Sequence, residues 1–145
     1  MKKVLFLCTH NSARSQMAEG LLRNMGRSEY EAFSAGTKAT FVRPQAIQVM
    51  KEIGIDISGQ QSKNLRQYLN RGFDEVITVC DDANESCPVF PKAKGRRRWS
   101  FPDPSKVTGT DEEVLGVYRT VRDGIKDRID TELPNTSDIL THSPN

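Results

Sequence analysis

Apolar residues along the chain follow two rhythms, and the rhythm changes at turn-forming residues. Val4-Leu5-Phe6-Leu7 is continuous rather than alternating. This predicts a strand over Lys2–Cys8 buried on both faces, as in a parallel sheet. Met17, Leu21, Leu22 and Met25 recur at helical spacing, which predicts a helix from Ser15 to about Met25 with Gly26 as its C-cap. Tyr30–Ala35 reads as a short strand closed by Gly36. Pro44 opens a helix whose buried face would be Ala46, Ile47, Val49, Met50 and Ile53, with Gly54 as the stop. Ser62 is expected to cap a helical turn through Leu65 and Leu69. Phe73–Cys80 is the next buried strand.

From Asp81 to Arg98 there is no strong period, and Pro88, Pro91 and Gly95 interrupt it. The expectation is a long loop with one helical turn, then Trp99-Ser100-Phe101 as a short edge strand. A loop of that length in a compact domain usually serves function. Thr110-Asp111-Glu112-Glu113 matches a capping box. The helix after it would bury Val114, Leu115, Val117, Tyr118, Val121, Ile125 and Ile129, and end near Leu133-Pro134. Strands alternating with helices argue a parallel α/β sheet. The polar stretch from Pro134 to Asn145 is expected to be loosely ordered, leaving one domain over residues 1–133 and a tail over 134–145.

Composition changes this picture little. The 145 residues suit a single domain, and 36% hydrophobic content supports one core. Lys plus Arg is 21 and Asp plus Glu 19, a net charge of +2, which gives no argument for nucleic acid. The basic residues Lys92, Lys94, Arg96, Arg97 and Arg98 are clustered, however. They read as a solvated loop, or as a surface that steers a small anion or docks an acidic partner. No apolar run is long enough to span a membrane, and the start is too short for a signal peptide. The expected compartment is the cytoplasm. There, three cysteines point to catalysis or redox chemistry more than to a disulfide framework.

The first strand ends in chemistry. Cys8 is followed by five residues, then Arg14 and Ser15 at a helix start. A loop of this length can curl round a tetrahedral oxyanion with its backbone N–H groups inward, and the helix N-terminus adds its positive dipole end. Thr9, His10, Asn11, Ser12, Ala13, Arg14 and Ser15 would form the oxyanion cradle. Cys8 would be the nucleophile beneath the anion, and Arg14 could clamp two oxygens. The dipole, the ring of donors and the Arg14 charge each stabilise a negative sulfur. Ser12 and Ser15 could add hydrogen bonds. Asp103, held between two prolines, is the candidate general acid, although a turn-forming role explains an Asp there equally simply.

Cys8-Thr9-x-Asn11-Ser12-x-Arg14-Ser15-Gln16-Met17-Ala18-Glu19-Gly20, Ser34-Ala35-Gly36, Gly54-Ile55-Asp56, Val79-Cys80, Glu85-Ser86-Cys87-Pro88 and Trp99-x-Phe101-x-Asp103-Pro104 together resemble the thioredoxin-coupled arsenate reductases. These enzymes are built on the low-molecular-weight protein tyrosine phosphatase fold. The resemblance runs from Lys2 to about Ile129. It implies a single-domain α/β fold, an open four-stranded parallel sheet with helices on both faces. C-x5-R-S alone indicates only the phosphatase superfamily; Cys80 with Cys87 narrows it. The resemblance further implies that Cys8 attacks arsenate, that Cys80 attacks Cys8 as arsenite leaves, and that Cys87 then attacks Cys80. The final Cys80–Cys87 disulfide would be reduced by thioredoxin. No cofactor, nucleic acid or membrane is implied, and a monomer is expected. Phosphate and sulfate should compete with arsenate. If residues 81–86 are helical when reduced, Cys80 and Cys87 stand about 10 Å apart by helix rise, too far to bond, so that turn would have to unwind.

Position 13 is Ala13, where some members carry a further cysteine. Some members also hold a potassium ion through residues matching Asn11, Glu19 and Ser34, with two more oxygen ligands that fall at Gln61 and Lys63. A lysine there argues against a cation site, and the Lys63 ammonium is predicted to sit near Glu19 and Asn11 instead; no resident metal is expected. The competing readings are a low-molecular-weight protein tyrosine phosphatase using Cys8, Arg14 and Asp103 alone, and an oxyanion-binding or redox-sensing module needing no acid. A reductase coupled to glutathione through glutaredoxin is a further variant. His10 and Phe41 are the obvious aromatic candidates beside the pocket.

Overall fold

The computed structural model describes residues 1–25, 28–81 and 88–134. Its order is β1 (Lys2–Cys8), α1 (Arg14–Asn24), β2 (Tyr30–Gly36), α2 (Pro44–Lys51), β3 (Phe73–Thr78), β4 (Ala93–Arg98) and α3 (Asp111–Glu132). Two short 3-10 helices, Leu65–Tyr68 and Pro104–Lys106, complete it. The strands form one four-stranded sheet in the order β2-β1-β3-β4. Every pairing is parallel.

The continuous apolar run of β1 explains its central place. Val4, Phe6 and Cys8 face a core shared with Met17, Leu21, Val49, Met50, Tyr118 and Ile125 from the three α-helices. Leu5 and Leu7 face the other way, into a cluster with Tyr68 of the first 3-10 helix, Phe73, Val76 and Phe90. The aromatic rings there meet edge to face, Phe73 against Phe90 at 5.4 Å and Tyr68 against Phe73 at 5.8 Å. Both faces of the sheet are thus covered.

The chain leaves β1 for β2 on one side, then returns to place β3 on the other. The strand order therefore reverses between β1 and β3. In open α/β sheets the crevice at the carboxyl end of such a switch point is where ligands bind. Cys8 is the last residue of β1, and Cys80 follows β3 at the same edge.

Four expectations need correction. Asn64, not Ser62, caps the first 3-10 helix: its Oδ1 accepts from the Arg66 N–H at 2.9 Å. Ser62 Oγ instead accepts from the Thr40 N–H and donates to the His10 carbonyl, at 2.9 and 3.0 Å. Ile53 is 39% exposed, because α2 ends at Lys51 and its periodicity no longer applies, although Gly54 does turn the chain with φ +79°. The third strand stops at Thr78, two residues early, although Val79 N–H still donates to the Leu7 carbonyl at 2.8 Å.

The last correction is the largest. The edge strand is Ala93–Arg98, within the expected loop, and not Trp99–Phe101. Its half-buried positions carry Ala93, Gly95 and Arg97, so no apolar alternation marks it. Arg97 is held by Glu75 and Glu132, each at 3.3 Å, and this pairing lets a charged residue occupy a sheet face. The capping box of α3 is present, with Thr110 Oγ1 accepting from Glu113 N–H and Glu113 Oε1 from Thr110 N–H.

Gly26, Cys87, the expected helical turn over residues 82–86 and the tail over 135–145 lie outside the described residues. No described helix is long and apolar enough to cross a membrane.

Candidate active site

Peptide planes set the character of the loop after β1. Every carbonyl from Thr9 to Ala13 has a partner outside the loop's hollow. The Thr9 carbonyl accepts from Lys38 N–H at 3.0 Å and Thr37 Oγ1 at 3.1 Å. His10 accepts from Ser62 Oγ, Asn11 from Gln16 Nε2 at 3.1 Å, Ser12 from Arg43 N–H at 2.9 Å, and Ala13 from Met17 N–H at 2.9 Å. A carbonyl and the next N–H point opposite ways across a trans peptide. With the carbonyls taken, the N–H groups face the other way, toward the loop's hollow, next to the α1 N-terminus, an arrangement of the kind that forms an anion nest. Asn11 makes the tight curl with φ +49°, a left-handed conformation that Asn tolerates better than most residues. Its own N–H donates to Cys8 Sγ at 3.2 Å.

Cys8 is 2% exposed, at the floor of this nest. A chain of hydrogen bonds with fixed polarity reaches it. The Lys63 backbone N–H can only donate, and it meets Asn11 Oδ1 at 2.8 Å; Gln16 Nε2 donates to the same oxygen at 2.8 Å. The Asn11 amide nitrogen is therefore the group facing Ser15, and it donates to Ser15 Oγ at 2.8 Å. Ser15 Oγ lies 2.8 Å from Cys8 Sγ, and its own hydrogen is left free to turn to the sulfur.

Arg14, 2% exposed, opens α1, and its contacts include a carbonyl and a carboxylate. Its Nη1 donates to the Phe101 carbonyl at 3.1 Å, and its Nη2 lies 3.6 Å from Asp103 Oδ2. The two oxygens of Asp103 divide their contacts, and one of them meets the turn-forming reading. Oδ1 caps the following 3-10 turn, accepting from Ser105 N–H at 3.0 Å and Ser105 Oγ at 2.7 Å, and Oδ2 faces Arg14. The Phe101 peptide also reaches the second cysteine: its N–H donates to the Cys80 carbonyl at 3.3 Å. Cys80 is 1% exposed, and neither it nor Cys8 is joined in a disulfide.

The structure thus gathers Cys8, Thr9 through Ser15, Cys80 and Asp103 at one sheet edge. Cys87 lies outside the described residues. Phe41 is 55% exposed under the Arg43 guanidinium, 4.9 Å from its ring centre, and His10 is half-buried.

Lys63 reaches the position expected of it in part. Its ammonium lies 3.4 Å from Glu19 Oε1 and 2.7 Å from the Gln61 carbonyl, while Asn11 takes its backbone N–H instead. Glu19 is 3% exposed and also bonds Ser34 Oγ at 2.5 Å and Arg23 Nη2 at 3.0 Å, so its buried charge is matched on several sides. No group of three or more His, Cys, Asp and Glu that could hold a metal ion occurs among the described residues.

Sequence reasoning missed the braces. Gln16 holds both oxygens of Asn11 and the Gln61 carbonyl, and Gln60 holds Gln16. A polar residue at a position facing the core was the available signal. Gly36 does more than stop a strand. A Cβ there would stand 2.6 Å from the Thr9 carbonyl and 2.8 Å from the Asn11 nitrogen, so the cradle rests against this glycine.

Residues 3–136 match the family described as low molecular weight phosphotyrosine protein phosphatase. An arsenate reductase of Halalkalibacterium halodurans is 49% identical over 130 residues, covering 90% of this chain and 94% of the relative. Among solved structures, an arsenate reductase in its phosphate-binding state superposes with a TM-score of 0.76 at 36% identity, covering 90% of this chain and 95% of the other. A thioredoxin-dependent arsenate reductase of Corynebacterium glutamicum superposes with a TM-score of 0.63 at 27% identity, covering 90% of this chain and 61% of the other.

Proposed function

The chain belongs to the low molecular weight phosphotyrosine protein phosphatase family, and from that premise we propose that it reduces arsenate to arsenite by a relay of three thiols. The observation that carries the reading is the pairing of an anion nest over Cys8 with a second buried thiol, Cys80, at the same sheet edge. A phosphatase needs only the first.

The nest and Arg14 bind the oxyanion, which takes the place phosphate would take. The Cys8 thiolate attacks arsenic, an As–S bond forms, and an oxygen leaves as water with a proton from Asp103. Cys80 then attacks the Cys8 sulfur. The S–S bond forms as the As–S bond breaks, and that electron pair goes to arsenic, which falls from As(V) to As(III) and leaves as arsenite. Two thiols are oxidised for two electrons delivered. Cys87 next attacks the Cys80 sulfur and expels the Cys8 thiolate, which restores the nest. The Cys80–Cys87 disulfide is reduced by a dithiol protein of the thioredoxin class, as the named relative supports. Such a cycle belongs in a reducing compartment, in keeping with a cytoplasmic protein.

The test is arsenate-dependent NADPH oxidation coupled through thioredoxin and thioredoxin reductase. Cys8→Ser, Cys80→Ser and Cys87→Ser should each abolish steady-state turnover. Normal turnover by Cys80→Ser and Cys87→Ser would leave a phosphatase acting through Cys8, Arg14 and Asp103. Weak phosphomonoester hydrolysis is expected under either reading, because the phosphatase site is contained in the reductase site.

A further inference from the structure

A cavity of about 470 Å³ opens where the start of α2, the turn after Asp103 and the first half of α3 meet. That volume falls in the ordinary range of small-molecule sites. Two polar groups in its lining are unmatched. The first is Arg43. Arg14, Arg97, Arg119 and Arg122 are each held by carboxylates. The Arg43 guanidinium has no carboxylate and no hydrogen-bond acceptor among the described residues; it rests on the Phe41 ring, and its Nε is buried without a partner. Its backbone is anchored, through the N–H donated to Ser12. The second is Tyr118. The residue is 1% exposed, lines the same cavity, and has no hydrogen-bond partner for its hydroxyl among the described residues. Burial pushes the Tyr118 phenol up, so it stays a neutral donor. A guanidinium fork and a hydroxyl donor converging on one cavity both ask for an acceptor.

The rest of the lining sets the kind of acceptor. Val107, Val114 and Leu115 give the cavity apolar walls. Asp111 stands exposed at its rim and opposes a second negative charge. A multiply charged oxyanion is better served by the nest and Arg14. A single planar carboxylate on an apolar body suits the fork, the hydroxyl and the walls together.

We propose that this cavity is a binding site for a small organic monocarboxylate, its carboxylate held by Arg43 and Tyr118 and its carbon body packed on Val107, Val114 and Leu115. The site is separate from the oxyanion nest, and the inference does not depend on the arsenate reading. It touches that site through two links: Arg43 N–H to the Ser12 carbonyl, and Ser105, which caps on Asp103.

Benzoate is the probe. The full, reduced chain is titrated with it while amide chemical shifts are followed, with inorganic phosphate saturating the Cys8 nest throughout. A saturable shift of the Arg43, Gln45, Ser105, Leu115 and Tyr118 amides is expected, with a Kd of about 1–10 mM for a ligand this small. Arg43→Ala should raise the Kd at least about tenfold, and Arg43→Lys by several-fold because a point charge lacks the fork. Tyr118→Phe should raise it by several-fold with the fold intact, read as an unchanged Tm. If Tyr118→Phe unfolds, the Arg43 pair decides. Shifts that never saturate, shifts confined to the Cys8 nest, or an unchanged Kd in Arg43→Ala would overturn the proposal.

Discussion

Ser15 holds its hydroxyl 2.8 Å from the sulfur of Cys8 while Asn11 gives an amide proton to the same oxygen, which leaves the hydroxyl hydrogen free to turn to sulfur. The polarity originates in the Lys63 backbone, which can only donate. Replacing Ser15 by Ala removes the last link. A hydrogen bond to a charged group contributes about 1.5–3 kcal/mol, so alkylation of Cys8 by iodoacetamide at neutral pH should slow about 10–100-fold. An unchanged alkylation rate would show that the hydroxyl is not directed at sulfur.

Gly36 supports the cradle from behind. A methyl group there meets the backbone of Thr9, Asn11 and Cys8 at 2.6, 2.8 and 2.9 Å, and backbone cannot swing aside as a side chain can. Gly36→Ala should therefore displace the nest. A misplacement of roughly 1 Å at a reacting centre can cost about a hundredfold, so arsenate kcat/KM should fall at least about tenfold. Activity within twofold of wild type would mean that the loop shifts freely.

Lys63 and Glu19 lead to a statement about salts. The ammonium already lies 3.4 Å from the buried carboxylate and 2.7 Å from the Gln61 carbonyl. Turnover should be the same in potassium and in sodium at equal ionic strength. Lys63→Met leaves Glu19 with Arg23 and Ser34 only, and should lower stability by about 1–3 kcal/mol in urea unfolding. Turnover that rises several-fold with potassium alone would contradict this placement.

Acid should destabilise the fold. The Lys3 N–H, at 2.7 Å, holds the Asp74 carboxyl below the usual carboxylate range, and Lys94 adds to it. The Arg119 hydrogen bond does the same for Glu52, and the Thr110 N–H for Glu113. These groups bind protons more readily in the unfolded chain. Their contribution is complete above the ordinary carboxylate range and is lost as pH falls from that range through their lowered folded values. The urea midpoint should drop between pH 7 and pH 4, and less so in Glu113→Gln. A flat or rising midpoint would count against these pairings.

Much of this was legible beforehand where local and global signals agree. The V-L-F-L run of β1 and the capping box at Thr110 each have one physical reading, and the fold keeps them; the Cys8-x5-Arg14-Ser15 spacing does span the end of a strand and the start of a helix. Strand β4 was not legible, because its inward positions are Ala93, Gly95 and Arg97, and only the distant partners Glu75 and Glu132 make Arg97 tolerable there. The same holds for Gln16 and Gln60, whose value lies in carbonyls brought near by folding. Nor could sequence alone divide the oxygens of Asp103 between a turn and Arg14.

The central claim is that the oxidation started at Cys8 is carried away by a second thiol, and one measurement addresses it. Reduced Cys87→Ser protein is mixed with excess arsenate without any reductant. Released arsenite and the protein's disulfides are then quantified by mass spectrometry. One equivalent of arsenite per chain, with a Cys8–Cys80 disulfide accumulating in step, is the predicted result. No arsenite, or arsenite without that disulfide, would contradict it.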